Sequence, residues 1–137
     1  RLFDREIATR LSRWQEKMKP YSGTNIVAYH RSWPYFSKRF GINVVDYVEL
    51  KPGIAPSPAH IAALVKKINA EGIKVIIKEP CYENKISNFI SSKTGTSVLT
   101  LPVSVAGVKE VKDYFDLFDY IIDNLISTFT KQGITPK

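Results

Sequence analysis

Apolar residues recur at two different spacings along the chain. Residues 2–18 repeat apolar side chains at helical spacing, with Arg and Lys between them, which predicts an amphipathic helix. Short apolar runs then alternate with further helical patterns. The runs predict strands at residues 25–30, 43–49, 75–77 and 97–101. The helical patterns lie at residues 33–40, 58–70 and 83–93, and a last one runs from Val111 to Phe129.

Cap and stop residues sharpen the predicted helix boundaries. Ser32 precedes the helix at 33–40 and is predicted to cap it, and Ser57 is predicted to cap the helix at 58–70 in the same way. Gly41 follows the first of these helices, where a left-handed residue is needed. In the last helix, the predicted apolar face leaves four carboxylates able to stay in water: Asp113, Asp116, Asp119 and Asp123.

The alternation of strands and helices predicts the fold class. After the first helix, a strand followed by a helix occurs four times. This order favours an α/β fold with a four-stranded parallel sheet and helices on both faces. The expected architecture is a flavodoxin-like or Rossmann-like three-layer sandwich in one domain.

Composition fits a folded domain. The chain has 137 residues, of which 44% are hydrophobic and 12% aromatic, so disorder is not expected. No apolar run approaches the roughly 20 residues that span a bilayer. The single cysteine, Cys81, excludes an internal disulfide and a Cys-rich zinc motif. The chain opens without Met inside a predicted helix, so we expect a processed protein or an excised fragment.

The net charge of +7 is concentrated near the amino terminus. Residues 1–40 carry 9 Lys and Arg against 3 Asp and Glu, whereas residues 41–137 carry 11 against 10. Nucleic acid, anionic lipid or an acidic partner would fit this excess, and a solvated helix face explains it more simply. The aromatic residues near Arg31 and Lys38 fit packing on the sheet better than base stacking, so no nucleic acid partner is predicted.

The candidate chemistry lies where the predicted strands end. His30 follows the first strand, Glu49 and Lys51 follow the second, and Glu79 follows the third. The first and third strands are neighbours in many doubly wound sheets, so His30 and Glu79 are expected to share one crevice. The pair suits zinc or manganese, or a histidine oriented by a carboxylate. A hydrogen-bonded loop histidine explains His30 equally simply, and His60 is predicted to be a surface residue.

Several enzyme classes have no motif here. There is no glycine-rich phosphate loop, no HExxH and no GxSxG sequence. Cys81 has no second histidine placed to act as its base. An enzyme on a flavodoxin-like sheet, with His30 as acid and base and Glu79 orienting it, stays open as an alternative. A response-regulator-like domain would need an acidic cluster where His30 and Arg31 stand.

Three segments, 27–41, 51–60 and 76–82, carry a resemblance to a known family. They resemble the carboxyl-terminal lobe of the zinc- and manganese-type substrate-binding proteins of bacterial ABC transporters, a family that includes lipoproteins and adhesins. The resemblance covers nearly the whole chain. It implies that residues 1–20 form the end of the long helix that links two lobes. Residues 21–137 would then form the carboxyl-terminal lobe, without the amino-terminal one.

The resemblance also implies a site. In that family two lobes clamp one metal ion, and His30 matches a ligand position of the carboxyl-terminal lobe. Glu79 matches a glutamate near the cleft that need not be a direct ligand. The family often adds an aspartate after a later strand, but Pro102, Val103 and Ser104 follow Leu101 here. The expected metal residues are therefore His30 and Glu79, with zinc favoured over manganese if the cleft holds several histidines.

The implied function is transport without catalysis. The protein is expected to capture a divalent metal ion in the periplasm, or outside the cell on a membrane anchor, and to deliver it to an ABC permease. The metal is then a transported ligand and not a catalytic cofactor. Half a clamp should bind zinc weakly. The apolar face of residues 2–18, deprived of its other lobe, is expected to favour a homodimer.

Overall fold

The computed structural model describes residues 2–51, 53–102, 104 and 113–137, so Val111 of the predicted last helix lies outside the described residues. Strands and helices alternate as predicted, and most boundaries differ from the predicted ones by a few residues at most. The elements are α1 (Leu2–Met18), a 3-10 turn (Lys19–Tyr21), β1 (Asn25–Ala28), α2 (Pro34–Phe40), β2 (Asn43–Tyr47), α3 (Pro58–Glu71), β3 (Val75–Lys78), α4 (Lys85–Thr94), β4 (Ser97–Thr100) and α5 (Tyr114–Lys131).

The four strands form one parallel sheet in the order β2-β1-β3-β4, which confirms the predicted fold class. The chain steps from β1 to β2 on one side and then crosses back to β3 and β4. The direction of winding therefore reverses between β1 and β3, where Ala28 pairs with Ile77. In open parallel sheets a crevice forms at this reversal, outside the carboxyl ends of the strands.

Each face of the sheet carries its own core, because successive side chains of a strand point to opposite faces. Ile26 and Ala28 of β1 face a core built with α1, α2 and α5. Val27 and Tyr29 face the second core, which α3 and α4 cover. The first core is rich in aromatic residues and the second is mainly aliphatic. Both faces are thus buried, as a parallel sheet requires.

A bulge interrupts the pairing of β1 with β2. Ile26 pairs with Val44, but the next residue, Val27, pairs with Asp46, so Val45 is an extra residue in β2. The ammonium of Lys67 on α3 donates to the carbonyl oxygen of Val45 at 3.0 Å. The carbonyl of the extra residue is therefore satisfied by a side chain.

The two predicted helix caps have different outcomes. Ser57 caps α3 as predicted, because its hydroxyl accepts a hydrogen bond from the amide of His60 at 3.1 Å. The prediction for Ser32 was wrong, because Trp33 occupies the cap position of α2 and makes no side-chain cap bond. The amide of Ser32 instead donates to the carbonyl of His30, so the chain makes a turn before the helix begins.

Gly41 is required by both conformation and space. It ends α2 at φ +72°, a region that other residues rarely adopt. A Cβ atom on Gly41 would lie 2.5 Å from the hydroxyl oxygen of Ser22. The carbonyl of Gly41 also accepts the amide of Gly23 at 2.7 Å. This contact joins the loops that precede β1 and β2, at the amino-terminal edge of the sheet.

The carboxyl-terminal half of α1 is fixed to α5. Trp14 is buried, stacks on Phe118 with 4.9 Å between ring centroids, and donates its indole N–H to Asp119 at 2.6 Å. The side chain of Asp119 keeps 35% of its surface exposed, so it stays in contact with water as predicted while also accepting this hydrogen bond. Much of the apolar face of α1 is covered within the chain, whereas Leu2 and Ile7 nearer its start are exposed.

Candidate metal centre

His30 stands at the rim of the crevice. It follows β1, is half-buried, and its ring centroid lies 5.5 Å from that of Tyr82. Tyr82 in turn stacks on Tyr29, with ring centroids 4.9 Å apart. The imidazole therefore lies beside an aromatic pair at the rim, rather than being enclosed by aliphatic side chains.

Glu79 follows β3, on the other side of the reversal. The amide of Tyr29 donates to the carbonyl of Ile77 at 2.7 Å, which brings the residues after β1 and β3 together as predicted. Glu79 is 3% exposed, and neither carboxylate oxygen has a hydrogen-bond partner among the described residues. Burying an unpaired carboxylate is unfavourable, and a cation bound to these oxygens would offset part of that cost.

Lys78 is buried beside Glu79, which the sequence did not predict. It was expected to follow the strand, but β3 continues through it and its side chain is 1% exposed. Its ammonium donates to the carbonyl oxygen of Glu79 at 2.9 Å, and no ion pair joins it to a carboxylate in the described part of the chain. Burial lowers the pKa of Lys78, and the negative charges of Cys81 and Glu79 oppose that shift.

Glu49 belongs to the same cluster. Its amide donates to the carbonyl of Tyr29 at 2.8 Å, its side chain is 9% exposed, and its Oε1 has no partner among the described residues. Burial raises the pKa of Tyr29, and the charge of Glu49 and a hydrogen bond to it raise that pKa further. Burial also raises the pKa of Tyr82, with smaller contributions from Glu79, Cys81 and Glu49. The sequence placed Glu49 at a strand end, which was the available signal, but did not assign it to the site.

The other candidate residues lie elsewhere or have different partners. His60 is half-buried, so it is partly at the surface as predicted, and its Nε2 lies 2.8 Å from the carbonyl oxygen of Tyr47. This contact joins the first turn of α3 to the end of β2. Lys51 and Cys81 are exposed. Of the segment where the family's aspartate was expected, Val103 lies outside the described residues.

The described residues do not form a complete metal site alone. No group of three or more His, Cys, Asp or Glu among them is arranged to hold a metal ion. Imidazole nitrogen and carboxylate oxygen suit zinc or manganese, but zinc takes three or four protein ligands. His30 and Glu79 are only two candidate ligands, fewer than a zinc site needs. The enzyme alternative needs a hydrogen bond from His30 to Glu79, and the carboxylate of Glu79 makes none.

None of the described helices has both the length and the hydropathy to cross a bilayer.

Comparison with known families gives one extended match. The family model described as zinc-uptake complex component A, periplasmic, matches residues 2–128. A high-affinity zinc uptake system protein ZnuA of Brucella abortus is 29% identical over 112 residues, which cover 82% of this chain and 33% of that protein. The zinc-binding protein AdcA of Streptococcus pyogenes is 26% identical over 131 residues, covering 90% of this chain and 25% of that protein.

Solved structures share the fold. The laminin-binding protein Lmb of Streptococcus agalactiae, described as an adhesin with metal-transporting activity, superposes with a TM-score of 0.79 at 23% identity. The match covers 93% of this chain and 49% of that one. The chain therefore spans about a third or less of these two curated relatives and about half of this structural neighbour.

Proposed function

Because the chain belongs to the family of periplasmic zinc-uptake complex component A, we propose that it is part of a protein that captures a divalent metal ion and delivers it to an ABC permease. Zinc is the favoured ion, since the Brucella abortus relative takes up zinc and the Streptococcus pyogenes relative binds it. The family is a transport family and not an enzyme family. We propose accordingly that the ion is cargo and that the chain performs no catalysis.

The proposed organisation has two parts. Residues 1–20 form the end of a helix that links two lobes, and residues 21–137 form the carboxyl-terminal lobe. Two facts support it: the relatives are much longer than this chain, and α1 precedes the sheet and packs along one of its covering helices. The protein would act in the periplasm, or outside the cell on a membrane anchor, and the periplasmic description of the family supports the first of these locations.

The single observation that carries the proposal is the carboxylate of Glu79. Both of its oxygens are buried and have no hydrogen-bond partner among the described residues, and Glu79 follows β3, which pairs with the strand that precedes His30. A cation shared with His30 would relieve the cost of burying this charge. The remaining ligands would come from the other lobe, or from water where the family's aspartate is replaced.

The test uses the complete two-lobe protein and removes the imidazole with His30→Ala. Zinc affinity, measured by competition with a chromophoric chelator, is expected to fall at least about 100-fold, because losing even a hydrogen-bond partner of a metal ligand costs about 10- to 100-fold. His60→Gln is the matched control, because His60 is the other histidine of the chain and contacts the Tyr47 carbonyl instead. Equal zinc affinity in the His30→Ala and wild-type proteins would refute the proposal.

The same variant separates transport from the enzyme alternative. If His30 served as an acid and base, His30→Ala would leave ligand binding largely intact and stop turnover. Under the proposal, metal retention is lost and no turnover exists to be lost.

A homodimer through residues 2–18 stays a prediction, supported by the exposed side chains of Leu2 and Ile7. Light scattering that gives a monomer at high concentration would contradict it.

A further inference from the structure

The imidazole of His30 has no hydrogen bond that fixes its orientation among the described residues. Metal-binding histidines usually donate their second ring N–H to a carbonyl or carboxylate, which orients the nitrogen that binds the metal. Of the two histidines of the chain, only His60 makes a ring hydrogen bond to a described residue. The ring of His30 instead contacts that of Tyr82, with 5.5 Å between the centroids and 33° between the planes. An aromatic contact is therefore the restraint on this imidazole that the described residues show.

The ring of Tyr82 is itself held in place. It stacks on the ring of Tyr29, with 4.9 Å between the centroids and 22° between the planes. Tyr29 is 4% exposed, its amide donates to the carbonyl of Ile77 at 2.7 Å, and its carbonyl accepts the amide of Glu49 at 2.8 Å. Tyr29 is therefore fixed by the continuation of the sheet, and it supports Tyr82 from the buried side.

Tyr82 also contacts the segment that carries the second candidate ligand. Its amide donates to the carbonyl of Glu79 at 3.3 Å, which forms a turn directly after β3. The ring of Tyr82 thus contacts His30, after β1, while its backbone contacts Glu79, after β3. Aromatic rings attract each other when their centroids are about 4.5–7 Å apart, and both ring contacts of Tyr82 lie in that range.

We propose that Tyr82 is a positioning residue for the metal site, and that its ring holds the imidazole of His30 in the orientation that binds the ion. The inference rests on the proposed function. A ligand that is already oriented loses less conformational freedom when the ion binds, so its affinity for the ion is higher. Because the contact is made by the ring, the hydroxyl group of Tyr82 is not needed for it.

The test compares three variants of the complete two-lobe protein. Tyr82→Leu keeps an apolar side chain and removes the ring, whereas Tyr82→Phe keeps the ring and removes the hydroxyl. Tyr120→Leu is the matched control, because Tyr120 is also half-buried but packs against the core on the other face of the sheet. Zinc affinity is measured by competition with a chromophoric chelator.

Tyr82→Leu is expected to lower zinc affinity about tenfold, which is the lower end of what losing an outer partner of a metal ligand costs. Tyr82→Phe and Tyr120→Leu are expected to bind zinc as wild type does. Tyr82→Met provides the same comparison if Tyr82→Leu does not fold.

A double-mutant cycle separates positioning from a merely structural role. If Tyr82 acts through His30, Tyr82→Leu should cause no further loss of zinc affinity in a protein that already carries His30→Ala. The affinities in that background are measured against a weaker chelator. A merely structural role would lower zinc affinity by the same factor in both backgrounds.

Wild-type zinc affinity in Tyr82→Leu would overturn the inference, and so would an equal loss in Tyr82→Phe or equal losses with and without the His30 imidazole. The proposed function fails separately, when His30→Ala binds zinc as wild type does. If His30→Ala loses zinc while Tyr82→Leu retains it, only the role of Tyr82 is wrong.

Discussion

The loops at the amino-terminal ends of the strands (the amino-terminal edge) differ from those at the carboxyl-terminal ends (the carboxyl-terminal edge) in how fully their polar groups are hydrogen-bonded. At the amino-terminal edge, hydrogen bonds pair groups across the loops: the amide of Gly23 donates to the carbonyl of Gly41 at 2.7 Å. The amide of Asn43 donates to the carbonyl of Thr24 at 2.9 Å, and its side chain donates to that of Asn25 at 3.1 Å. This edge is built for stability.

The carboxyl-terminal edge leaves polar groups unpaired. Five buried side-chain atoms of the described residues lack a hydrogen-bond partner, and three of them belong to Glu49 and Glu79, which follow the ends of β2 and β3. The five are Trp33 Nε1, Glu49 Oε1, both carboxylate oxygens of Glu79, and Ser87 Oγ.

This difference links the amino-terminal edge to stability and the carboxyl-terminal edge to binding. Unpaired buried polar atoms are rare in native proteins and destabilise them. Here three of the five, the oxygens of Glu49 and Glu79, lie at the edge where parallel sheets bind ligands. Stability and binding should therefore respond to different substitutions, and each edge offers a way to test that separation.

The largest expected effect is on metal binding at the carboxyl-terminal edge. Glu79→Gln in the complete protein is expected to lower zinc affinity about 100-fold, equivalent to about 2.7 kcal/mol. The free energy of unfolding without metal should not fall, because a neutral amide is cheaper to bury than a carboxylate. Chelator competition and urea unfolding measure the two quantities, with exposed Glu83→Gln as control. A large loss of stability in Glu79→Gln would erase the distinction between the edges.

At the amino-terminal edge, Gly41→Ala is expected to lower the free energy of unfolding by about 2 kcal/mol. The new methyl group would require a positive φ and would collide with Ser22. Gly95→Ala is the control: its φ is +75° but nothing lies within 4 Å, so only about 1 kcal/mol should be lost. Urea unfolding measures both variants. Zinc affinity should not change, and a change would show that the two edges are coupled.

Asp119→Ala tests the attachment of α1, away from both edges. Removing the acceptor of the Trp14 indole should lower the free energy of unfolding by about 1.5 kcal/mol. Asp123→Ala is the matched control, because the Asp123–Lys17 ion pair is exposed and should contribute less than about 0.5 kcal/mol. Equal losses in the two variants, measured by urea unfolding, would show that α1 is not fixed to α5 through Trp14.

The smallest expected effect tests whether a polar group toward the carboxyl-terminal edge contributes to stability when it is hydrogen-bonded. Ser57 lies beyond the end of β2, toward the carboxyl-terminal edge, but its hydroxyl is paired with the amide of His60. Ser57→Ala should therefore lower the free energy of unfolding by about 1 kcal/mol, whereas Ser57→Asp should keep the cap. Thermal unfolding of both variants measures the difference. Unchanged stability in Ser57→Ala would contradict the role of this cap bond.

The fold was accessible from the sequence because it depends on local spacing. Alternating strand and helix patterns, and a capping serine followed by proline at 57 and 58, are signals within a few residues. His30 and Glu79 were placed correctly at the ends of β1 and β3, since the parallel topology fixes where those ends meet. Their role as metal residues stays a proposal.

The partners of polar side chains were not accessible in the same way. Lys78 and Asp119 look like solvent-exposed charges by residue type, and only distant segments bury them or supply their hydrogen bonds. Asp119 meets Trp14 across 105 positions of sequence. His60 finds its acceptor on β2, and Glu49 is buried at the end of that strand. Such contacts arise from packing, which spacing does not encode.

The extra residue in β2 determines which side chain reaches the crevice. If β1 and β2 ran in unbroken register, the amide reaching the carbonyl of Tyr29 would belong to Val48. The inserted Val45 shifts the strand by one place, so Glu49 arrives there instead. A single inserted residue, whose carbonyl accepts a hydrogen bond from Lys67, thus places the carboxylate of Glu49 at the cleft in place of the side chain of Val48.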